Sequence, residues 1–200
     1  PPAATGTLIN DASSEMFSRP IDWDVHDLVY AGAQKNLGPA GVTLVIIRKG
    51  LLEQSRQDLP SMFRFDKHAE QASCLNTPPT FGIHVMGLVF KWILEQGGLE
   101  EMHGRNLAKA AKLYESMDES GGFYTGHARS DCRSTMNVTF TCPTPELDTL
   151  FLTEAEDAGM RNLKGHRSIG GLRASIYNAF PVEGCEQLAS FMNSFAARNG

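Results

Sequence analysis

The sequence predicts an α/β protein whose first part holds short buried strands and whose second part is a smaller α+β unit. Nearly continuous runs of apolar and β-branched residues within the first fifty positions are typical of strands covered by helices. A long helical stretch over positions 81–117 follows, with apolar residues at a spacing of about 3.6. Beyond position 134, alternating strands and amphipathic helices indicate the α+β unit.

Three strands are predicted in the first part. Thr7 to Ile9 lies in a short strand-like run over 6–10, and the runs "DLVYAGAQ" (27–34) and "GVTLVIIRKG" (41–50) follow. The last run is so uniformly apolar that it predicts a strand buried on both faces. The polar, proline-rich segment 58–81 is predicted to be a long connecting loop.

Two helices are predicted in the middle of the chain. Thr80 is the expected N-cap of an apolar helix over 81–96, which Gly97 and Gly98 end. A second helix is expected over 99–117. We place a domain boundary within the first of these helices, which predicts one domain at 1–92 and another at 93–200.

The last part is predicted to alternate strands with helices. "STMNVTFTC" is a strand, and the helix that opens with Pro-Thr-Pro ends at Gly159. "MRNLKGH" and "LRASIYN" are predicted as two strands separated by "RSIGG", and the final twenty residues form an amphipathic helix.

Composition excludes several classes of function. The chain has 200 residues and a net charge of −5, with no long basic run, so we expect no nucleic-acid partner. Its densest apolar stretch, 83–94, is interrupted by His84 and Lys91 and is too short to cross a membrane. Four scattered cysteines without a C-x-x-C pair predict no metal site and favour free thiols in a reducing, cytoplasmic location.

Lys35 is the first candidate for chemistry. It stands in "AGAQKNLGPAG" between two predicted buried strands, where partial loss of hydration would favour a nucleophilic amine of the kind that Schiff-base chemistry needs. Asp11 ends the preceding strand, and adjacent ends of parallel strands meet at one site, where a carboxylate can pair with the pyridine nitrogen of pyridoxal phosphate. The alternatives are a surface lysine in a turn and an Asx turn or helix N-cap at Asp11.

Four segments carry a resemblance to a known family. "NDASSEMFSRPIDW", "YAGAQKNLGPAGVTLVIIRKGLL", "LNTPPTFGIHVMGLVFKWILEQGGL" and "KGHRSIGGLRASIYNA" resemble the phosphoserine aminotransferases, which are fold-type I, class V enzymes that use pyridoxal 5′-phosphate. The resemblance covers nearly all 200 residues in order. It implies that 1–92 holds the later strands of the family's large-domain sheet, without the N-terminal part, and that 93–200 is the small C-terminal domain.

The resemblance assigns the cofactor-binding residues one by one. Lys35 matches the catalytic lysine that forms the Schiff base. Asp11 matches the partner of the pyridine nitrogen, and Gln34 matches the glutamine beside the phenolic oxygen of the ring. Asn76 and Thr77 match the pair that reaches the cofactor phosphate from the other subunit of a homodimer, although a helix-capping loop explains the same local pattern.

Three further residues match the family's substrate-binding positions. His166 and Arg167 match the group that holds the substrate phosphate, and Arg173 matches the arginine that binds the α-carboxylate. The chemistry suits these roles, because a guanidinium offers a two-pronged donor to a carboxylate and a basic pair suits a phosphate. Taken singly, each arginine is equally explained as an exposed surface charge.

The function implied by the resemblance is transamination in serine biosynthesis. Small-molecule substrates are expected: L-phosphoserine and 3-phosphohydroxypyruvate, with glutamate and 2-oxoglutarate as the second pair. The family also acts on a phosphorylated analogue in bacterial pyridoxine synthesis. The alternatives are a related aminotransferase with a non-phosphorylated substrate, and a non-catalytic folded remnant or dimerising scaffold, since the N-terminal part of the large domain is missing.

Overall fold

A computed structural model describes residues 5–200, which divide into two compact units. The first unit ends at Leu99 and the second runs from Glu100 to Gly200. The boundary predicted after residue 92 falls inside a helix, Thr80–Glu95, and the domain assignment stays a prediction. No helix within residues 5–200 combines the length and apolar character needed to cross a membrane.

The first unit contains a three-stranded sheet. Its strands are β1 (Ile9–Asp11), β2 (Leu28–Gly32) and β3 (Thr43–Ile47), in the order β1-β2-β3. β1 is parallel to β2, and this register sets Asp11 opposite Tyr30, whereas β2 and β3 are antiparallel. Buried side chains from the sheet and its neighbours form the core of this unit: Ala12, Met16, Val29, Ala31, Ala33, Leu37, Val42 and Met86.

The prediction that the third strand is buried on both faces is wrong for the described residues. Thr43 is exposed and the other four residues of β3 are only half-buried. β3 lies at the outside of the sheet, with β2 as its one strand neighbour among residues 5–200. A continuous apolar run indicates that a strand can be buried, but burial on both faces also requires other elements packed over each face of the sheet.

Three helices belong to the first unit: α1 (Lys49–Glu53), α2 (Phe65–Glu70) and α3 (Thr80–Glu95). The predicted loop over 58–81 is therefore partly helical, since α2 and a short 3₁₀ turn at Ser61–Phe63 lie within it. Asp66 lies in the first turn of α2 and pairs with Arg64, an arrangement that favours a helix start. The pair of Arg64 with Asp66 thus favours a helix in a segment whose composition is typical of a loop.

The start of α3 differs from the prediction by one residue. Thr80 is the first helical residue, and Pro79 occupies the N-cap position, with no side-chain cap. The amide of Ile83 donates to the carbonyl of Pro79 at 3.0 Å, which begins the helical hydrogen bonding one residue early. After α3 the chain turns at Gly97, whose φ of 103° lies in the left-handed region that glycine tolerates, as predicted.

The second unit packs three helices with an antiparallel sheet. The helices are α4 (Gly98–Asp118), whose first two residues are still counted in the first unit, α5 (Pro145–Asp157) and α6 (Val182–Asn199). The sheet order is β4 (Thr125–Gly126), β5 (Asn137–Thr141), β6 (Leu172–Ser175). The predicted helices and the alternation of β5 are confirmed. The core is rich in aromatic rings in edge-to-face contact around Phe151: Tyr124, Phe140, Phe191 and Phe195.

The segment "MRNLKGH" is not a strand, contrary to the prediction. It forms one isolated bridge, between Lys164 and Leu172. Asn162 has a left-handed φ of 63°, which breaks the extended run before it can pair along β6. Two backbone hydrogen bonds instead close a loop over 165–171, from Arg173 to Leu163 at 2.7 Å and from Gly165 to Gly171 at 2.8 Å.

Candidate active site

A tight turn between β2 and β3 carries Lys35. The amide of Ala33 donates to the carbonyl of Val42 at 2.9 Å, and the amide of Gly38 donates back to the carbonyl of Ala33 at 2.8 Å. Gly41 has a φ of 99°, a conformation that costs other residues strain. The glycines around Lys35 therefore serve to fold the chain back just after β2 and hold the lysine at the end of that strand.

Lys35 contacts the loop that follows β1. It is half-buried, and its Nζ donates a 2.6 Å hydrogen bond to Oγ of Ser14. Asn36 is buried beside it, and its amide donates to the carbonyl of Ser14 at 3.4 Å. The parallel ends of β1 and β2 therefore do meet, as the spacing of Asp11 and Lys35 predicts.

Asp11 is the last residue of β1 and its side chain is exposed. One oxygen, Oδ1, accepts the amide N–H of Ser13 at 3.0 Å, so the Asx turn considered as an alternative is present. Hydrogen bonds from the side chain and backbone of Ser13, then from Tyr30, together with the charge of Lys35, hold the pKa of Asp11 below its usual value. The carboxyl group therefore stays anionic beside the lysine.

Gln34 lies exposed next to Lys35, and its side chain folds back over Gly32. A Cβ atom on Gly32 would stand 2.5 Å from Oε1 of Gln34, so this position requires a residue without a side chain or a movement of the glutamine. The amide of Gly32 also donates to Oγ of Ser13 at 3.0 Å. Asp11, Gln34 and Lys35 thus lie together at one edge of the sheet. With Ser13, Ser14 and Tyr30, they form what we call the Lys35 cluster.

Asn76 and Thr77 lie in the exposed segment before α3. The side-chain amide of Asn76 donates to the carbonyl of Thr77 at 3.1 Å. Neither residue hydrogen-bonds to the Lys35 cluster within residues 5–200, so their assigned contact with a cofactor phosphate stays a prediction.

The second unit carries the predicted substrate-binding residues. His166 and Arg167 are exposed on the 165–171 loop, where Nδ1 of His166 hydrogen-bonds with Oγ of Ser168 at 2.7 Å. Arg173 is half-buried on β6 and borders a cavity of about 450 Å³ that α6 and the segment 159–163 help to line. Its Nε is buried without a hydrogen-bond partner among residues 5–200, which marks a guanidinium able to take an anionic ligand.

Three residues of the Lys35 cluster were not predicted from the sequence. Ser13 and Ser14 follow Asp11 after one alanine, and their hydroxyl groups were available as a signal in "NDASS". Tyr30 had no such signal, because only the parallel register sets it beside Asp11. Its hydroxyl hydrogen-bonds to that carboxylate, which raises the pKa of Tyr30.

We expect Ser13→Ala to raise the pKa of Asp11 towards its ordinary value, because the side chain of Ser13 is the largest influence that lowers it. Ser14→Ala, which removes the partner of Lys35 instead, is the matched control and should change the Asp11 pKa much less. NMR titration of the Asp11 carboxyl carbon measures both. Equal pKa values in Ser13→Ala and the unmodified chain would contradict this account.

Comparison with known proteins identifies the family. The model of the class-V aminotransferase family matches residues 4–188. Phosphoserine aminotransferase of Herpetosiphon aurantiacus is 55% identical over 193 residues, which are 96% of this chain and 54% of that protein. The corresponding protein of Geobacillus kaustophilus is 56% identical over 191 residues, 96% of this chain and 53% of the relative. The chain therefore spans about half the length of the curated relatives it matches.

Solved structures agree with the predicted α/β fold, that is, later large-domain strands followed by a small C-terminal domain. Phosphoserine aminotransferase from Bacillus circulans subsp. alkalophilus superposes with a TM-score of 0.94 at 50% identity, over 100% of this chain and 55% of its own. The pyridoxal phosphate-bound phosphoserine aminotransferase from Trichomonas vaginalis superposes with a TM-score of 0.89 at 38% identity, over 96% of this chain and 55% of its own. The fold prediction is confirmed, and the chain belongs to the class-V aminotransferase family.

Proposed function

We propose that this chain supplies the lysine-bearing and substrate-binding part of a phosphoserine aminotransferase. The reaction would interconvert L-phosphoserine and 3-phosphohydroxypyruvate, with glutamate and 2-oxoglutarate as the second pair, in serine biosynthesis. The observation that carries the proposal is the meeting of Lys35 with an anionic Asp11 at adjacent parallel strand ends. The curated relatives favour this function over a scaffold or a non-phosphorylated substrate.

The residues around Lys35 fit pyridoxal 5′-phosphate. A protonated pyridine nitrogen needs a carboxylate that stays ionised, and hydrogen bonds keep Asp11 in that form. Gln34 lies exposed next to Lys35, and its side-chain amide suits the phenolic oxygen. Asn76 and Thr77 present exposed polar groups suited to the phosphate. When bound, the cofactor supplies an electron sink that makes loss of a proton from the substrate α-carbon feasible.

Lys35 is the group that moves the proton. Its Nζ would take the proton from the substrate α-carbon and pass it on within the same half-reaction, and in the reverse half-reaction it would deliver a proton to the α-carbon of the incoming oxo acid. The 2.6 Å hydrogen bond to Ser14 orients the amine, and the turn between β2 and β3 restricts its backbone. Asp11 stabilises positive charge at the site without taking part in proton transfer.

The second unit would bind the two anionic groups of the substrate. Nε of Arg173 is buried and has no hydrogen-bond partner among residues 5–200, and an α-carboxylate can supply one. Arg167 and His166 are exposed and free to bind a phosphate. The amide N–H of Ser168 donates to Nδ1 of His166 at 3.3 Å, which favours the tautomer with a proton on Nε2, a donor for the phosphate.

We further propose a cytoplasmic homodimer in which Asn76 and Thr77 act across the interface. The segment's exposure supports this role, because its polar groups are available to a neighbouring subunit. All four cysteines are unbridged, which fits a reducing compartment. The phosphorylated substrate of pyridoxine synthesis is a second candidate for the same phosphate-binding residues.

Lys35→Arg is expected to abolish transamination and leave the fold intact, because a guanidinium cannot form the covalent linkage to the cofactor. Borohydride reduction of the complete holoenzyme, followed by peptide mapping, should place the cofactor on Lys35. Lys49→Arg, at an exposed lysine in α1, is the control and should keep its activity. A label on Lys49 or Lys164 would refute the assignment.

Subunit mixing tests the shared site. Lys35→Ala and Thr77→Ala homodimers should both be impaired, whereas a heterodimer should contain one site with both residues native. We expect mixing to restore activity up to about half the wild-type level per heterodimer, since one of two sites is repaired. Mixtures whose activity stays at the mean of the two homodimers would place Thr77 in its own subunit's site.

Separate substitutions distinguish the two anion sites. Arg173→Ala should slow both half-reactions, because every substrate carries an α-carboxylate, and Arg167→Ala should mainly slow the half-reaction with phosphoserine. Loss of a charge-assisted hydrogen bond costs about 1.5–3 kcal/mol, or roughly ten- to a hundred-fold in kcat/KM. Single-turnover rates with phosphoserine and glutamate measure this, and Arg129→Ala, at a surface ion pair with Asp131, is the control. Equal losses of single-turnover rate with phosphoserine and glutamate in Arg167→Ala would show that Arg167 is not the phosphate-binding residue.

A further inference from the structure

A buried lysine that the proposed reaction does not use lies in the second unit. Lys109, on α4, is 4% exposed. It forms no ion pair with any carboxylate in the part of the chain that the structure describes. A lysine is rarely this buried without a counter-charge, because removal of an ammonium group from water is costly. Lys109 therefore needs another source of stabilisation.

Backbone carbonyl groups provide the stabilisation of the buried Lys109 ammonium group. Nζ of Lys109 lies within hydrogen-bonding distance of four carbonyl oxygens in one turn of chain: Ile176 at 3.1 Å, Tyr177 at 2.7 Å, Asn178 at 3.4 Å and Phe180 at 3.2 Å. We call this segment, Ile176–Phe180, the carbonyl turn. Its first four residues belong to "ASIYNA", a part of the resemblance to which no role in the reaction is assigned.

The contacts of Nζ favour the charged form of the lysine. An ammonium group has three N–H donors to offer to the four oxygens, whereas a neutral amine would turn its lone pair towards a carbonyl. Burial lowers the pKa of Lys109, and the neighbouring Cys185 acts in the opposite direction. Hydrogen bonds from Nζ to carbonyl oxygens also favour the cation. The side chain thus acts as a cation tethered to α4, around which the carbonyl turn is folded.

The carbonyl turn directly follows β6, the strand that carries Arg173. The amide of Ile176 still donates to the carbonyl of Met136 at 2.9 Å, and beyond it the chain leaves the sheet. On the other side of the turn, the side-chain amide of Asn106 donates to Oδ1 of Asn178 at 2.8 Å. Lys109 and Asn106 lie one helical turn apart on α4, so one helix face holds the end of β6 in place.

We propose that Lys109 is a positioning residue for Arg173, which it holds through the carbonyl turn at the end of β6. The role of Arg173 in this inference rests on the proposed function. Without the cation, the four carbonyl groups would face one another with no donor between them, and the turn would have to open. The end of β6 would then move, and small displacements of a binding group have large effects on substrate affinity.

Two substitutions and a chemical rescue test the proposal in the complete holoenzyme. Lys109→Met keeps much of the side-chain volume and removes the charge. Lys109→Ala leaves a space that matches propylammonium, which replaces the missing atoms and restores the cation, whereas 1-propanol resembles it in shape but is neutral. Lys112→Met, at an exposed lysine on the same helix that pairs with Glu186 at 3.6 Å, is the matched control.

We expect Lys109→Met to raise KM about ten-fold or more for every substrate with an α-carboxylate, with a much smaller change in kcat, at a temperature well below its Tm. Propylammonium should restore both Tm and KM of Lys109→Ala, and 1-propanol should not. A residue that only stabilises the fold would lower Tm and leave KM unchanged. Lys112→Met should match the wild type in both measurements.

Two results would overturn the proposal: KM values within about two-fold of wild type in a folded Lys109→Met, and equal rescue by 1-propanol and propylammonium. If neither variant folds alone, Lys109→Ala is refolded with propylammonium, and the change in KM as the additive is diluted gives the same decision. A wild type that binds substrates but does not transaminate would refute the proposed function. The Tm rescue of Lys109→Ala would still show whether the carbonyl turn depends on a cation.

Discussion

The parallel pairing of β1 with β2 is the constraint on which the Lys35 cluster depends. Parallel strands end at the same edge of a sheet, so the residues that follow them meet without any sequence proximity. Asp11 ends one strand, and the turn with Lys35 follows the other. Hydrogen bonds from Ser13 lower the pKa of Asp11, and the hydrogen bond to Ser14 orients the amine of Lys35.

In the second unit, Arg173 lies on the short strand β6, and its Nε has no hydrogen-bond partner among residues 5–200. β6 has four residues and pairs along one edge with β5, while an isolated bridge and the hydrogen bond from Arg173 to Leu163 hold its other edge. Additional support comes from beyond the strand, where α4 contacts the carbonyl turn through Lys109. The four oxygen partners of the buried cation all belong to the backbone, so the bonds use no side chain that is proposed to bind substrate. Such an arrangement ties the end of β6 to the core of rings around Phe151, to which α4 also contributes.

Local sequence signals predicted the elements with strong periodicity and missed those built from weak or distant interactions. The helices over 99–117 and 182–199 repeat apolar residues at helical spacing, and both are present. The capping of α5 by Thr144, with Pro145 at its start, is also local and is observed. α2 was missed because six residues give little periodic signal, and its start depends on the pairing of Arg64 with Asp66. "MRNLKGH" has the composition of a strand, but the left-handed Asn162 prevents extended pairing.

The sequence by itself determined the chemistry available: a lysine among glycines, a carboxylate after a strand, and two arginines in a glycine-rich segment, in an order that matches a known family. Residue type and spacing carry that information because covalent and acid–base properties belong to single side chains. Only the tertiary structure decided that Tyr30 faces Asp11, that Ser14 holds Lys35, and that Lys109 is enclosed by carbonyl groups far along the chain. These depend on strand register and helix packing, which bring together groups whose separation in sequence conveys nothing of their distance in space.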